Sequence, residues 1–419
     1  MHCITNPKEN IHCQITLPQS KSILNRRLVI NHLSDGAAIT DLISDASDVL
    51  AMQNSLLEIG KNLNHESVAE INVGNAGTVM RFLLALLAVT PGKWLLTGSE
   101  RMKQRPVKPL TDALQQLGAD IRFLKNDGFP PVFISGNRNL RGGNISLNAG
   151  ISSQFISALM MIGPYLKGGL SIGLQGDIIS QSYIDMTKAL IQKSGANVSF
   201  NGNELNINEG NYNKNDFSSL LEPDWSAAAF WFEIAALAPE AQILLKGLKA
   251  ESVQGDSVLP SIYEHLGIRS VFVAEGLLIT KSGLPRVEEF NFDFTNCPDL
   301  AQAVIVTCAA LGINGCFTGL KTLRIKETDR IAALQNELGN LGYGVNVVGD
   351  QIHLTDTIPS GYQNEVTQEV KCYDDHRMAM SFAPLALLHH KICFNEPEVV
   401  KKSYPDFWED MQKAGFIIE

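Results

Sequence analysis

Leu117-Gly118-Ala119-Asp120-Ile121 reads as the end of an amphipathic helix, a glycine that stops it, and the start of a short strand. A glycine just past a helix end takes the positive φ that a Cβ-bearing residue adopts only at a free-energy cost. The phrase returns as Leu56-Leu57-Glu58-Ile59-Gly60, Ser194-Gly195-Ala196-Asn197-Val198 and Leu266-Gly267-Ile268. It returns twice more, as Leu341-Gly342-Tyr343-Gly344-Val345 and Ala414-Gly415-Phe416-Ile417-Ile418. The six glycines follow one another at roughly 60 to 77 residues, which predicts six similar units. Short strands among numerous helices make the class α/β.

The chain has 419 residues, and at ~150 residues per domain that length predicts two or three domains. Pro223, near mid-chain in Leu221-Glu222-Pro223-Asp224, marks a crossover between two halves. The segment before it, from Asn201-Gly202-Asn203 to Asn213-Lys214-Asn215, is polar and Asn-rich and reads as hairpins and loops. The longest apolar stretches, near Ala227–Leu237 and Ala303–Leu311, fall short of the ~18–20 residues a membrane span needs. Both read as buried core helices, although Glu233 interrupts the first.

Hydrophobic residues make up 45% of the chain and charged residues 19%, enough apolar material for large cores. The net charge of -10 argues against a nucleic-acid binder, and at first sight against any anionic ligand. The seven cysteines are scattered, odd in number and form no C-x-x-C pair. They predict a reduced, cytoplasmic protein without a disulfide framework or Cys-based zinc site. The histidines lack metal spacing, and His389-His390 reads as surface. No metal, cofactor or membrane is expected, the N-terminus has no apolar signal segment, and the chain is expected to be a monomer.

The chemistry collects in polar clusters, each just before an apolar helical run. They are Pro18-Gln19-Ser20-Lys21-Ser22, Gly74-Asn75-Ala76-Gly77-Thr78, Ser152-Ser153-Gln154, Asp224-Trp225-Ser226, Pro298-Asp299, Lys326-Glu327-Thr328-Asp329-Arg330 and Asp375-His376-Arg377. A helix N-terminus carries bare N–H groups and a partial positive charge, so it holds phosphate or carboxylate well. Ser, Asp and Asn there are also ordinary N-caps. Caps do not account for Lys21, Arg26, Arg330 and Arg377, since cations near a helix start oppose its dipole. Four cations at the unfavourable ends of three helices predict a shared anionic ligand. The run Arg101-Met102-Lys103-Gln104-Arg105-Pro106-Val107-Lys108 adds basic residues.

In this order the clusters closely resemble the 5-enolpyruvylshikimate-3-phosphate (EPSP) synthase family. The resemblance runs through nearly the whole chain. It rests on Leu17-Pro18-Gln19-Ser20-Lys21-Ser22 with Asn25-Arg26, Gly74 to Arg81, Arg101 to Pro106, Ser152-Ser153-Gln154-Phe155, Gln254-Gly255-Asp256, Lys326 to Arg330 and Asp375 to Met380. It implies two similar domains, each of three βαβαββ units with helices buried beneath outer sheets, around an active-site cleft. The first domain is expected to comprise residues 1–17 plus 223–419 and the second residues 18–222. Cations facing that cleft would reconcile an acidic chain with two anionic substrates.

The implied reaction transfers the enolpyruvyl group of phosphoenolpyruvate to the 5-hydroxyl of shikimate 3-phosphate through a tetrahedral intermediate and releases phosphate. By resemblance, Asp299 accepts the hydroxyl proton, Glu327 handles the methylene proton, and Lys21 takes part in proton transfer. Shikimate 3-phosphate would meet Lys21, Ser22, Arg26, Ser152, Ser153, Gln154, Ser180, Tyr183, Asp299 and Lys326. Phosphoenolpyruvate would meet Lys21, Asn75, Gly77, Arg105, Gln154, Arg330, Arg377 and Lys402. Lys402 taken alone reads as part of a surface charge pair, and Glu327 with Arg330 as an i, i+3 helix pair. A proton-handling Glu327 is expected to have a pKa raised by desolvation.

Departures from the family pattern are Gln19, Gln104, Phe82, Gln181-Ser182 and Thr322. Gly77 leaves space beside the phosphoenolpyruvate site, which fits glyphosate sensitivity, whereas Phe82 stands where many members have Pro. The sister enzyme acting on UDP-N-acetylglucosamine carries a reactive Cys before its Arg-Pro, and Gly92–Arg105 has none. A non-catalytic anion-binding module would need the basic clusters but not Asp299 or Glu327.

Overall fold

The computed structural model describes residues 1–6, 10–35, 44–63, 65–213, 221–355 and 367–419. Lys214 and Asn215 of the Asn-rich stretch lie outside them. The chain divides into two units, residues 1–20 with 222–419 (unit 1) and residues 21–221 (unit 2).

The helices of unit 2 are α1 (Lys21–Asp35), α2 (Ser47–Lys61), α3 (Gly77–Val89), α4 (Lys108–Gln116), α5 (Ser153–Ile162) and α6 (Gln181–Lys193). Those of unit 1 are α7 (Trp225–Leu237), α8 (Leu259–His265), α9 (Ala301–Ala310), α10 (Arg330–Asn340), α11 (His376–Phe382) and α12 (Phe407–Lys413). Every residue of α7 and α9 is buried, and every residue of α3 except Thr78. A helix that is apolar all round can only sit in a core. Here α3 packs on α1 and α5, and α9 packs on α7 and α11.

Five four-stranded sheets occur among the described residues, all with one plan. Val68–Asn72 runs parallel to Gly92–Thr97, which pairs antiparallel with Val132–Gly136, which pairs antiparallel with Asp120–Phe123. With α3 and α4 between the strands, this is one βαβαββ unit. Strands such as Asp120–Phe123 and Gln351–Leu354 place Ile121, Ile352 and Leu354 inward and leave polar neighbours facing out. One face covers the helices and the other meets water.

The N-terminal segment completes two sheets of unit 1. Ile11–Thr16 lies parallel to Ala241–Lys246, and His2–Thr5 fits between Lys391–Phe394 and Ile417–Ile418. Cys3 exchanges its backbone bonds with Glu419, so Cys3 and Cys393 face each other as a non-hydrogen-bonded pair, where side chains approach most closely. They form a disulfide, which corrects the expectation of a fully reduced chain. Spacing could not reveal it, because the partners are 390 residues apart and meet only through sheet register.

Of the six marker glycines, Gly118, Gly195, Gly267, Gly342 and Gly415 have positive φ. At Gly118, Ala119 N donates to Leu114 O and Gly118 N to Gln115 O, the paired bonds of a Schellman end. Gly60 differs: α2 continues through it to Lys61. His389 corrects another expectation, being buried and bonded through Nε2 to Tyr343 Oη at 3.0 Å. Among the described residues no helix is long and apolar enough to cross a membrane.

Near the junctions of the units, Gln19 and Pro223 form an antiparallel bridge. Ser20 N donates to Glu222 O at 2.9 Å and Asp224 N to Pro18 O at 2.8 Å. Gln254 clamps the second segment, donating to Pro223 O and Glu222 Oε2 and accepting from Trp225 N. This gives the Gln254-Gly255-Asp256 motif a structural use.

Candidate active site

In unit 1 six predicted residues meet in one ionic network drawn from four chain segments. Asp299 comes from the 3-10 turn before α9; Lys326 and Glu327 lead into α10, which Arg330 begins. Arg377 is in the first turn of α11, and Lys402 ends the 3-10 turn Pro397–Lys402. Arg330 is 1% exposed and meets three carboxylates. Its Nε and Nη2 donate to the two oxygens of Asp375 at 2.7 and 3.2 Å, Nη2 also to Glu327 at 3.1 Å, and Nη1 to Asp299 at 3.3 Å. Burial alone would lower its pKa, but Asp375, Glu327 and Asp299 outweigh that and raise it. A first-turn cation, costly against the helix dipole, is thus held by its own counter-ions.

Asp299 also faces Lys326 at 3.5 Å and Arg377 Nη2 at 3.4 Å, while its carbonyl accepts from Arg377 Nη1 at 2.7 Å. Lys326 has a pKa lowered by burial, against the pull of Asp299 and with a further push from Arg330. Glu327 pairs with Lys402 Nζ at 2.9 Å. Lys402 is 9% exposed, so it is no surface charge, whereas its exposed neighbour Lys401 pairs with Glu398. Glu327 lies ahead of the Asp329 N-cap, so its pair with Arg330 is not an intrahelical one.

Asp375 was not foreseen as the hub. It chelates Arg330 and also caps α11, accepting from Arg377 N at 2.9 Å. Tyr373 and Asp374, just before it, have φ of 58° and 52°. Such left-handed residues cost of order 1–3 kcal/mol each and persist only where the surroundings hold them. Glu337 of α10 does so, accepting from Tyr373 Oη and Lys371 N, and Glu396 accepts from Asp374 N. Asp256, also missed, accepts a short hydrogen bond from Ser226. Burial, then repulsion from Asp299, pushes its pKa up to about 7.

In unit 2 the predicted residues cluster at helix starts. Lys21 opens α1 and pairs with Asp48 at 3.1 Å, a partner that sequence reading missed because it sits on α2. Arg26 is buried between the rings of Phe82 and Tyr183. It donates to Ser22 O, Thr187 Oγ1, Ser157 Oγ and Tyr183 O, and burial lowers its pKa to about 10. Phe82, a departure from the family pattern, therefore serves as a platform for Arg26. Ser180, the residue before α6, is the third non-glycine residue with positive φ among the described residues, at 55°. All three stand within three residues of the start of a helix that carries a predicted site residue.

Ser152 caps α5 by accepting from Gln154 N, and Gln154 Nε2 donates to Thr78 Oγ1 at 3.0 Å. Ser153 begins α5 beside them, and Asn75 precedes α3. Gly77 begins α3, and its Cα lies so close to Arg105 that an added Cβ would fall 2.6–2.7 Å from the guanidinium. Arg105 is 5% exposed, and its buried Nε and Nη1 have no hydrogen-bond partner among the described residues. A buried guanidinium with unmet donors is a receptor for an anion.

A family model described as EPSP synthase (3-phosphoshikimate 1-carboxyvinyltransferase) matches residues 5–411. A 3-phosphoshikimate 1-carboxyvinyltransferase of Bacteroides fragilis is 43% identical over 420 residues, 100% of this chain and 99% of the relative. One of Shewanella piezotolerans is 34% identical, covering 96% of each. Among solved structures, an EPSP synthase from Acinetobacter baumannii superposes with a TM-score of 0.76 at 21% identity, over 100% of this chain and 99% of that one. This last likeness speaks to the fold.

Proposed function

The chain belongs to the EPSP synthase family, and on that premise we propose that it transfers the enolpyruvyl group of phosphoenolpyruvate to the 5-hydroxyl of shikimate 3-phosphate, releasing phosphate. The observation that carries the catalytic part is the network of Asp299, Lys326, Glu327, Arg330, Arg377 and Lys402, four cations and two carboxylates from separate segments in one cluster whose Arg330, Arg377 and Lys402 are buried. The addition step needs a proton delivered to the methylene carbon and one removed from the hydroxyl. Elimination reverses both. Glu327, bonded to Lys402, is assigned the methylene proton, Asp299 the hydroxyl proton, and Lys21 a share in the transfers. A binding module would have no use for two carboxylates that offset half the charge of its cations.

Arg105, with Asn75, Gly77 and Gln154, is assigned to phosphoenolpyruvate in unit 2, and Arg330, Arg377 and Lys402 in unit 1. Lys21, Ser22, Ser152, Ser153, Gln154, Ser180 and Tyr183 are assigned to shikimate 3-phosphate, with Asp299 and Lys326. Arg26 supports them by holding the Ser22 and Tyr183 carbonyls. The same reading has the chain act as a cytoplasmic monomer without a cofactor.

The test is phosphate release from phosphoenolpyruvate that depends on shikimate 3-phosphate. Asp299→Ala and Glu327→Ala are expected to lose ~10²–10⁴-fold in kcat while still binding shikimate 3-phosphate. Binding of both substrates by the unaltered protein without any phosphate release would replace the catalytic reading with the binding one.

A further inference from the structure

The partners of Asp299 oppose the task assigned to it. Lys326 at 3.5 Å, Arg330 at 3.3 Å and Arg377 at 3.4 Å surround its carboxylate. Nearby cations favour the charged form of a carboxylate and so weaken it as a proton acceptor. A base that must take a hydroxyl proton among them needs a charge of the other sign close by.

Asp256 is placed to supply it. It is 4% exposed and lies in the 3-10 turn Gly255–Val258. That turn and the turn Pro298–Leu300, which carries Asp299, both pack on α7, as does α11 with Arg377. Ser226, in the first turn of α7, fixes the side chain by donating from Oγ to Asp256 Oδ2. Ser226 N in turn donates to the α7 cap Asp224 at 3.1 Å. Just ahead of the turn, Gln254 accepts from Trp225 N and donates to Pro223 O. The carboxylate is therefore held in place rather than free to swing into water.

The groups within reach of its charge are Ser226 and Asp224 from the start of α7, Cys297 and Asp299 from the segment before α9, and Arg377 from α11. Arg377 is the only cation among them. Burial, and after it repulsion from Asp299, raises the Asp256 pKa to about 7; the Ser226 hydrogen bond and Arg377 pull the other way, and Asp224 adds to the rise. The repulsion is mutual. An ionised Asp256 disfavours negative charge on Asp299 and so raises the affinity of Asp299 for a proton.

We propose that Asp256 is a positioning residue for the transfer, whose negative charge, held by Ser226, offsets the three cations and keeps Asp299 basic enough to take the hydroxyl proton. In that step the hydroxyl O–H bond breaks, the proton passes to an Asp299 oxygen, and the freed electron pair closes the new C–O bond. Asp256 acts only through Asp299, and the proposal rests on the enolpyruvyl-transfer reading.

Single-turnover phosphate release, with enzyme in excess over shikimate 3-phosphate, tests it between about pH 5.5 and 8.5. The unaltered protein is expected to lose about tenfold in rate as pH falls through the neutral range. Asp256→Asn keeps the shape and the Ser226 contact without the charge. It is expected to be about tenfold slower than the parent at about pH 8.5, the gap closing as pH falls and the parent's Asp256 takes up its proton. Ser226→Ala removes a bond that favours the charged form of Asp256, and should move the acid limb up by about 0.5–1 pH unit. A merely structural role would lower the rate by one factor at every pH. An Asp256→Asn profile parallel to the parent's, or an unshifted limb in Ser226→Ala, overturns the proposal. If Asp256→Asn fails to fold, the Ser226→Ala limb decides alone. Either of those outcomes in an active parent leaves enolpyruvyl transfer standing, whereas a parent that releases no phosphate removes the transfer reading and this inference with it.

Discussion

Arg330 in unit 1 and Arg105 in unit 2 are both buried arginines assigned to the same anionic substrate, and they are held in opposite ways. Arg330 is saturated, with three carboxylates around one guanidinium. Arg105 keeps buried donors that no described residue meets. An anion arriving at Arg330 must compete with Asp375, Glu327 and Asp299. An anion that engages Arg105 has no carboxylate partner to displace among the described residues. Counting cations therefore does not reveal where affinity originates. The saturated arginine holds the two carboxylates proposed to move protons, and the unsaturated one is the arginine proposed to capture ligand.

The largest effect expected from breaking this contrast follows Asp375→Ala. It removes the bidentate partner of Arg330 and the N-cap of α11, and is expected to destabilise the protein by about 3–5 kcal/mol in denaturant unfolding. Arg105→Met should do the reverse, changing stability by less than about 1 kcal/mol, because it removes a charge with unmet donors rather than abandoning a partner. Its phosphoenolpyruvate affinity should fall roughly 10–100-fold. Equal destabilisation by the two variants would erase the distinction.

A second orphan sharpens it. Glu233, in the middle of α7, is 0% exposed and neither carboxyl oxygen has a partner among the described residues. Burial raises its pKa well above the ordinary value. Unlike Arg105 it faces core rather than a helix start, so it is expected to remain neutral rather than bind. With the folded pKa above the unfolded one, its contribution is fully present below the unfolded pKa. It is lost as pH rises from there through the folded pKa, at about 1.4 kcal/mol per pH unit. Glu233→Gln should be isostable near pH 4 and progressively more stable than the parent at higher pH. Parallel stability curves for the two proteins would show that Glu233 is charged in the fold.

Much of this was legible where the signal is local. Five of six marker glycines occupy left-handed positions because the residues that stop a helix are its neighbours in sequence. Gly60 misled because a glycine in a helix interior costs only about 1 kcal/mol, which the packing of α2 absorbs. The helix-start clusters were legible too, since caps and first-turn cations lie within four residues of each other. What sequence could not show was set by tertiary register. The insertion of His2–Thr5 between strands almost 400 residues away, and the disulfide that follows from it, are such cases. The Asp48 partner of Lys21, the hub role of Asp375 and the burial of His389 and Lys402 depend likewise on packing between distant segments.

The smallest expected effect probes the unsaturated arginine most directly. A Cβ at Gly77 would meet Arg105 Nη2, Cζ and Nη1 at 2.6–2.7 Å, closer than real contacts allow. The obstacle is the end of a flexible side chain, so the guanidinium moves and the fold holds. Alanine is also favoured over glycine in a helix by about 1 kcal/mol. Gly77→Ala is thus expected to leave stability and kcat nearly unchanged and to raise KM for phosphoenolpyruvate about 5–30-fold, the kinetic signature of lost uniform binding. If the displaced guanidinium is the whole cause, the effect should vanish when Gly77→Ala is placed on Arg105→Met, since residues in contact are not additive. An undiminished rise in KM on that background would mean that the space at Gly77, rather than the position of Arg105, is what the ligand requires.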